Sequence, residues 1–164
     1  MIYSDPIIQQ YISLIKTNTD AYRRFYQGDP IRVPQSFLPC CIISKTETRI
    51  APITNVEDRH EMQLTLTVVT DMRAEIRDEK DIAPGTARLY ELIEGRDADT
   101  LQLKSDAILD ILRGNLLVDA TLGLRTDLET ITQAEYGLTV GKRAEGQWAV
   151  EASVSWIAHF IQNR

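Results

Sequence analysis

The stretch WAVEASVSWIAHF, residues 148–160, decides the fold class because its side chains alternate with a period of two. One side of this stretch carries Trp148, Val150, Ala152, Val154, Trp156, Ala158 and Phe160. The other side carries Glu151, Ser153, Ser155 and His159, joined by Ala149 and Ile157. An α-helix turns every 3.6 residues and would scatter the large apolar side chains around its axis. The stretch therefore predicts a long β-strand with one face in the core.

Further strands are predicted on both sides of the middle of the chain. Residues 60–70 alternate in the same way, with Met62, Leu64, Leu66 and Val68 on one face. Residues 37–44 are apolar with few interruptions, which is typical of a strand buried on both faces. Residues 128–140 also alternate, and residues 141–146 after them predict a turn.

Three helices are predicted between these strands. Asp5-Pro6 has the pattern of an N-cap followed by proline at the first helical position, and residues 6–17 carry apolar side chains at helical spacing. Residues 86–94 predict a short helix that ends at Gly95, and residues 100–113 predict another that ends at Gly114. The resulting order predicts an α+β fold, a mostly antiparallel sheet with helices packed on one face. No linker or repeat divides the chain, so we expect one domain over residues 1–164.

Three connecting segments have distinctive compositions. Residues 22–34 are rich in aromatic and arginine residues and predict a loop. Residues 45–59 are polar and predict either a long protruding hairpin or a flexible loop. Residues 71–84 carry interleaved acidic and basic side chains and predict a long charged loop.

Composition and charge exclude several classes of protein. The 164 residues have 43% hydrophobic and 26% charged side chains, which is typical of a soluble globular protein. The formal net charge of −6 disfavours a general nucleic-acid binder, which needs a basic surface. No apolar run approaches the roughly 20 residues that a membrane helix requires, and no signal peptide is recognisable. The adjacent Cys40 and Cys41 make no disulfide framework and indicate a reducing compartment, the cytoplasm by default.

Motifs with catalytic or metal-binding spacing are absent from the sequence. His60 and His159 are far apart, Gly141-Lys142 lacks the upstream glycine of a phosphate loop, and no Gly-x-Ser-x-Gly occurs. Cys40 and Cys41 are predicted as core residues, with a reactive thiol paired to a distant histidine as the alternative. We therefore expect no enzymatic activity, no cofactor and no metal.

The order of elements resembles that of the tail terminator, or tail completion, proteins of long-tailed bacteriophages and related minor tail and neck proteins. The resemblance runs over most of the chain and rests on Phe37-Leu38-Pro39 and on the segments MQLTLTVV (62–69), AILDIL (107–112), EYGLTV (135–140) and WAVEASVSW (148–156).

That resemblance implies a structural virion protein in the tail or neck, assembled in the host cytoplasm. Such a subunit forms a ring, commonly a hexamer, at the head-proximal end of the tail tube. The ring ends tube polymerisation and joins the tail to the head connector. Its implied partners are other copies of the chain, the tube protein and connector or neck proteins, while DNA passes through the lumen without specific binding and no membrane is involved.

The two polar extensions are the natural candidates for contacts in such a ring. The candidate subunit, tail or connector interface residues are Arg49, Glu57, Asp58 and Arg59 on the 45–59 hairpin and Glu75, Arg77, Asp78 and Glu79 on the 71–84 loop. Two alternatives stay open: another phage neck or baseplate component, or a small-molecule-binding α+β domain or enzyme.

Overall fold

The computed structural model describes residues 4–30, 32–72, 84–144 and 147–164. Within these ranges it has three α-helices, seven strands and two short 3-10 turns, at Gln35–Phe37 and Leu128–Thr130. In chain order the main elements are α1 (Pro6–Asn18), β1 (Arg24–Gln27), β2 (Cys40–Pro52), β3 (Glu57–Asp71), α2 (Pro84–Glu94), α3 (Ile108–Gly114), β4 (Leu117–Asp119), β5 (Leu124–Thr126), β6 (Ala134–Ala144) and β7 (Gln147–Asn163).

The strands form one curled sheet in the order β1-β2-β3-β7-β5-β4, and β6 also pairs with β7. The N-terminal half of β7 pairs with β6, and residues 158–159 of β7 pair with β5. The prediction of an α+β fold is confirmed. The sheet is mixed rather than purely antiparallel, because β1 runs parallel to β2 while the other pairs are antiparallel.

Strands β3 and β7 form the centre of the sheet, paired from Glu57↔Asn163 to Asp71↔Ala149. The predicted alternation is confirmed in both, because Leu64 in β3 and its partner Trp156 in β7 are buried on the same face. Trp148 was predicted in the core and is 42% exposed, so that prediction is wrong. It is the second residue of β7 and belongs to neither hydrophobic cluster of the sheet.

All three helices contribute to a hydrophobic cluster on one face of this sheet. The Tyr11 ring of α1 lies 5.1 Å from the ring of Trp156, and its hydroxyl hydrogen-bonds the Thr126 hydroxyl at 2.9 Å. Both residues of this buried pair are nearly inaccessible to solvent, so the hydroxyls satisfy each other without water. Helix α1 is therefore packed on β7 and joined by a hydrogen bond to β5.

The start of α1 is set by Asp5, as the sequence predicts. An oxygen of the Asp5 carboxylate accepts hydrogen bonds from the backbone N–H groups of Ile7 (2.9 Å) and Ile8 (3.3 Å). Its other oxygen accepts a hydrogen bond from the Lys45 ammonium at 2.5 Å. Asp5 thus caps the helix and also ties it to β2.

A second, smaller hydrophobic cluster covers the opposite face of the sheet at the start of β2. It contains Val33, Leu38, Cys40, Ile42, Val69 and Ala149. Burial of β2 on both faces is confirmed for residues 40–43. The strand begins at Cys40 rather than at Phe37, because residues 35–37 form a 3-10 turn that leads into the cluster.

Several sequence-based boundaries were wrong. The helix predicted over 100–113 begins only at Ile108. Before it, the Asp97 carboxylate accepts hydrogen bonds from the N–H groups of Asp99 and Thr100, and Leu101 adopts a positive φ of 60°, which interrupts a helix.

The remaining corrections concern strands. The segment 22–34, predicted as a loop, contains β1, and β4 and β5 were not predicted. The strand predicted over 128–140 starts at Ala134, after a 3-10 turn that the Asp127 side chain caps. Residues 141–144, predicted as part of a turn, continue β6, and residues 145–146 lie outside the described ranges.

Candidate functional site

The far ends of β2, β3 and β7 extend past the main core as a three-stranded ribbon. We call this ribbon the arm. It comprises residues 44–52 of β2, the connecting turn 53–56, residues 57–61 of β3 and residues 159–163 of β7. The burial of β2 changes abruptly along its length, since residues 40–43 are buried and residues 45–52 are exposed. The 45–59 segment is thus a hairpin, and β7 adds a third strand to it.

The end of the arm carries aliphatic side chains in contact with water. Ile50 is 61% exposed, Val56 is 63%, Ile161 is 55% and Ile53 is 43%. We call these four residues the apolar tip. The register places Ile50 on the same face of the ribbon as His60 and Phe160, and Ile161 on the opposite face with Arg59. The four side chains therefore surround the end of the ribbon rather than forming one flat patch. Isolated exposed aliphatic residues are normal, but several around the end of one ribbon make it a candidate contact with another protein. Sequence reasoning missed this group because these residues are scattered among polar ones.

The arm has two open edges among the described residues. Strand β1 pairs with β2 only as far as Gln27↔Ile43, so no described strand pairs with the outer side of residues 45–52. On the other side, β5 pairs with β7 only at Ala158 and His159, which leaves residues 160–163 as an edge. Such edges expose backbone N–H and C=O groups that can pair with another chain.

The four interface candidates of the hairpin all lie on the arm, but they differ in their contacts. Arg49 donates a hydrogen bond from Nε to Glu47 at 2.7 Å. Asp58 accepts one from Nε of Arg164 at 2.8 Å, and this guanidinium lowers the pKa of the Asp58 carboxyl. Glu57 begins β3 and pairs in register with Asn163, while Arg59 is exposed opposite Ile161.

The other four candidates, Glu75, Arg77, Asp78 and Glu79, lie outside the described residues. The flanking positions differ from the predicted loop limits, because Asp71 is the last residue of β3 and Pro84 is the first of α2.

The middle of the sheet's other face, opposite the helices, is covered by small hydroxyl side chains. Thr65 of β3 and Ser155 of β7 are register partners whose hydroxyls lie 2.9 Å apart. The next pair, Thr67 and Ser153, repeats the arrangement one step along. This polar face stays open to solvent, in contrast to the start of β2, where the smaller cluster covers it.

The thiol alternative has no geometric support. Cys40 and Cys41 are both fully buried, and burial raises the pKa of the Cys41 thiol well above its usual value. Cys40 lies in register with Val69, which pairs with Glu151 of β7. His159 is eight residues further along β7, which places it about 27 Å away along the strand. A nucleophilic thiol needs to be ionised and close to its base, and neither condition is met.

A cleft of about 400 Å³ lies between the end of α2 and the start of β6. Tyr90 and Tyr136 meet there edge to face with ring centroids 4.9 Å apart. Burial and the neighbouring Glu94 carboxylate raise the pKa of the Tyr136 phenol. The rest of the lining is mostly charged, whereas small-molecule pockets are mostly apolar with a few polar groups.

No group of three or more histidine, cysteine or acidic residues with metal-binding geometry occurs among the described residues. None of the helices described here is long and apolar enough to cross a membrane. No protein-family model matches the chain, and no curated protein is similar enough in sequence to count as a match.

Proposed function

We propose that this chain is a structural bacteriophage protein of the tail terminator type. Its copies form a ring of about six subunits at the head-proximal end of the tail tube. The ring ends tube polymerisation and joins the tail to the head connector, and DNA passes through its lumen. The chain has no enzymatic activity in this role.

The observation that carries the proposal is the arm with its apolar tip. A ribbon without a hydrophobic core of its own gains little stability from extending into water, and exposing Ile50 and Val56 on it is unfavourable. Burying the tip against a neighbouring subunit would remove this apolar surface from water, which is favourable. In a ring each arm meets a different surface from its own, which is the heterologous contact that closes by rotation.

The open edges of the arm support the same conclusion. Residues 45–52 of β2 present one edge and residues 160–163 of β7 present the other, on opposite sides of the ribbon. A strand added to such an edge by a neighbour forms main-chain hydrogen bonds, which give affinity without a particular sequence. Lys45 and Arg49 lie along the β2 edge, and charges there limit pairing with the wrong partner.

The polar face and the overall charge suit a passage for DNA. The Thr65–Ser155 and Thr67–Ser153 pairs present small hydroxyl groups without a large positive surface. A net charge of −6 per chain repels phosphate overall, which limits how tightly DNA is held as it moves.

Native mass spectrometry over a concentration series, with and without Mg²⁺, tests the proposal. We expect a closed oligomer of about six copies, either alone or after addition of assembled tail-tube protein. A matched sample containing connector protein in place of tube separates binding to the two ends of the ring. A chain that stays monomeric with both partners present contradicts the proposal. Binding to a baseplate component alone would instead support the alternative that the chain is a baseplate protein.

A further inference from the structure

Three strands bring two arginines and a histidine together on the polar side of the sheet, at the base of the arm. Arg125 of β5 is the register partner of His159 in β7, and Arg59 of β3 is the register partner of Ile161. Side chains alternate along each strand, so Arg59, His159, Ile161 and Arg125 all point away from the helix-covered face. We call Arg59, Arg125 and His159 the basic cluster.

The basic cluster surrounds a depression of about 300 Å³. Its lining consists of Arg59, Gly123, Arg125, His159, Phe160 and Ile161. The two arginines lie on the strands at either side of β7, and their partners in β7 are two residues apart. Two strand spacings across the sheet and two residues along it give a distance of about 12 Å between their Cα atoms. Long side chains approaching from both sides can therefore converge on a small group placed above His159.

The members of the cluster have no anionic partner within the described residues. Neither arginine forms an ion pair there, whereas Arg49, Arg88 and Arg164 each contact a carboxylate. Two carboxylates lie on the same face, Glu61 directly opposite His159 and Glu57 two residues before Arg59. Neither lines the depression, and Glu61 lines a neighbouring one together with Arg49. In a chain with a net charge of −6, a depression lined by two arginines and by no carboxylate is a local exception.

We propose that this depression binds a phosphate group between Arg59 and Arg125, with His159 donating a further hydrogen bond. The planar guanidinium group donates two parallel N–H bonds, a geometry that matches the oxygens of a phosphate. An imidazole supplies an N–H donor in either tautomer. The bound group is a free phosphate or a phosphate of the DNA backbone. All residues of this site belong to one chain, so phosphate binding is tested on the isolated chain, without ring assembly.

The test is an NMR titration of the ¹⁵N-labelled chain with sodium phosphate, against sodium chloride at equal ionic strength. We expect saturable shifts of the amides of residues 59, 123–125 and 159–161, with a dissociation constant of about 1 mM or lower. The double variant Arg59→Gln/Arg125→Gln is expected to weaken binding about tenfold or more. The matched control Arg49→Gln/Arg88→Gln removes the same charge from ion-paired arginines and is expected to change binding less than about twofold.

A parallel titration with a short DNA duplex identifies the source of the phosphate. Shifts of the same amides that weaken steeply with salt assign the site to the DNA backbone. Shifts with inorganic phosphate alone assign it to a small free anion. The proposal is overturned if neither ligand gives saturable shifts at these amides, or if both double variants lose binding equally. Circular dichroism of each variant confirms that the exposed substitutions leave the fold intact.

Discussion

Shortening two side chains of the apolar tip is the most direct way to examine the arm as an assembly element. The double variant Ile50→Ala/Val56→Ala removes aliphatic surface that is 61% and 63% exposed in the isolated chain. These residues contribute little to the core, so the variant should fold normally. If the tip is buried between subunits, the substitutions weaken the association of subunits and leave the stability of each folded chain unchanged.

The expected size follows from the exposed fractions. Burying one CH₂ group stabilises by about 0.8 kcal/mol, and the substitutions remove three such groups from Ile50 and two from Val56. Only the exposed fraction of each side chain can become buried on association. The loss of association free energy is therefore about 1.5 kcal/mol for Ile50 and about 1.0 kcal/mol for Val56. Together they amount to about 2.5 kcal/mol per interface, which corresponds to a dissociation constant about 60-fold higher.

Sedimentation velocity over a dilution series measures this change, on the free oligomer or on the ring assembled with tube protein. The control is Leu101→Ala, since Leu101 is 67% exposed and lies in the segment between α2 and α3, outside the arm. We expect the control to assemble as the wild type does. A dissociation constant for the double variant within about threefold of the wild type, with the melting temperature unchanged, would refute the assignment of the tip to an interface.

Three further predictions concern the folded chain. Burial alone raises the pKa of Asp5, but the hydrogen bond from Lys45 and the α1 cap outweigh it and lower the pKa below 3.8. The wild type should therefore lose stability as the pH falls through this lowered pKa, and urea unfolding at pH 7 and pH 3 should show a smaller difference for Asp5→Asn. Trp156→Ala should cost about 3–5 kcal/mol because its ring is buried against Tyr11, and calorimetry should show a melting temperature about 6–20 °C lower, with a smaller drop for Trp156→Phe. A thiol-reactive dye should label Cys41 only after unfolding, and rapid labelling of the native chain would contradict its burial.

The elements that sequence predicted well are those with many consecutive residues following one period. In residues 148–160 and 60–70 the apolar side chains all fall on one face of the strand. The ends of β7 and β3 were therefore predicted to within a few residues. The start of α1 was predicted because Asp5 and Pro6 act locally. Strands of three or four residues, such as β5, carry no measurable period, and they exist because β7 offers an edge for them to pair with.

The candidate site shows the same division. The hairpin at 45–59 was recognised as one alternative because its polarity is a local property, and Arg59 was selected as part of it. Arg125 and His159 were not selected, since nothing near them in sequence connects them to Arg59. Only the pairing of β3 with β7 and of β7 with β5 brings the three together.

The sequence by itself determined which faces are apolar, where α1 begins and that the chain forms an α+β fold, because periodicity and capping depend on near neighbours. The tertiary structure decided that β1 runs parallel to β2 and that the arm has two open edges. These features depend on register between distant strands, where a shift by one residue would turn every side chain to the other face. The physical reason is that pairing energies between strands come from contacts that no single segment contains.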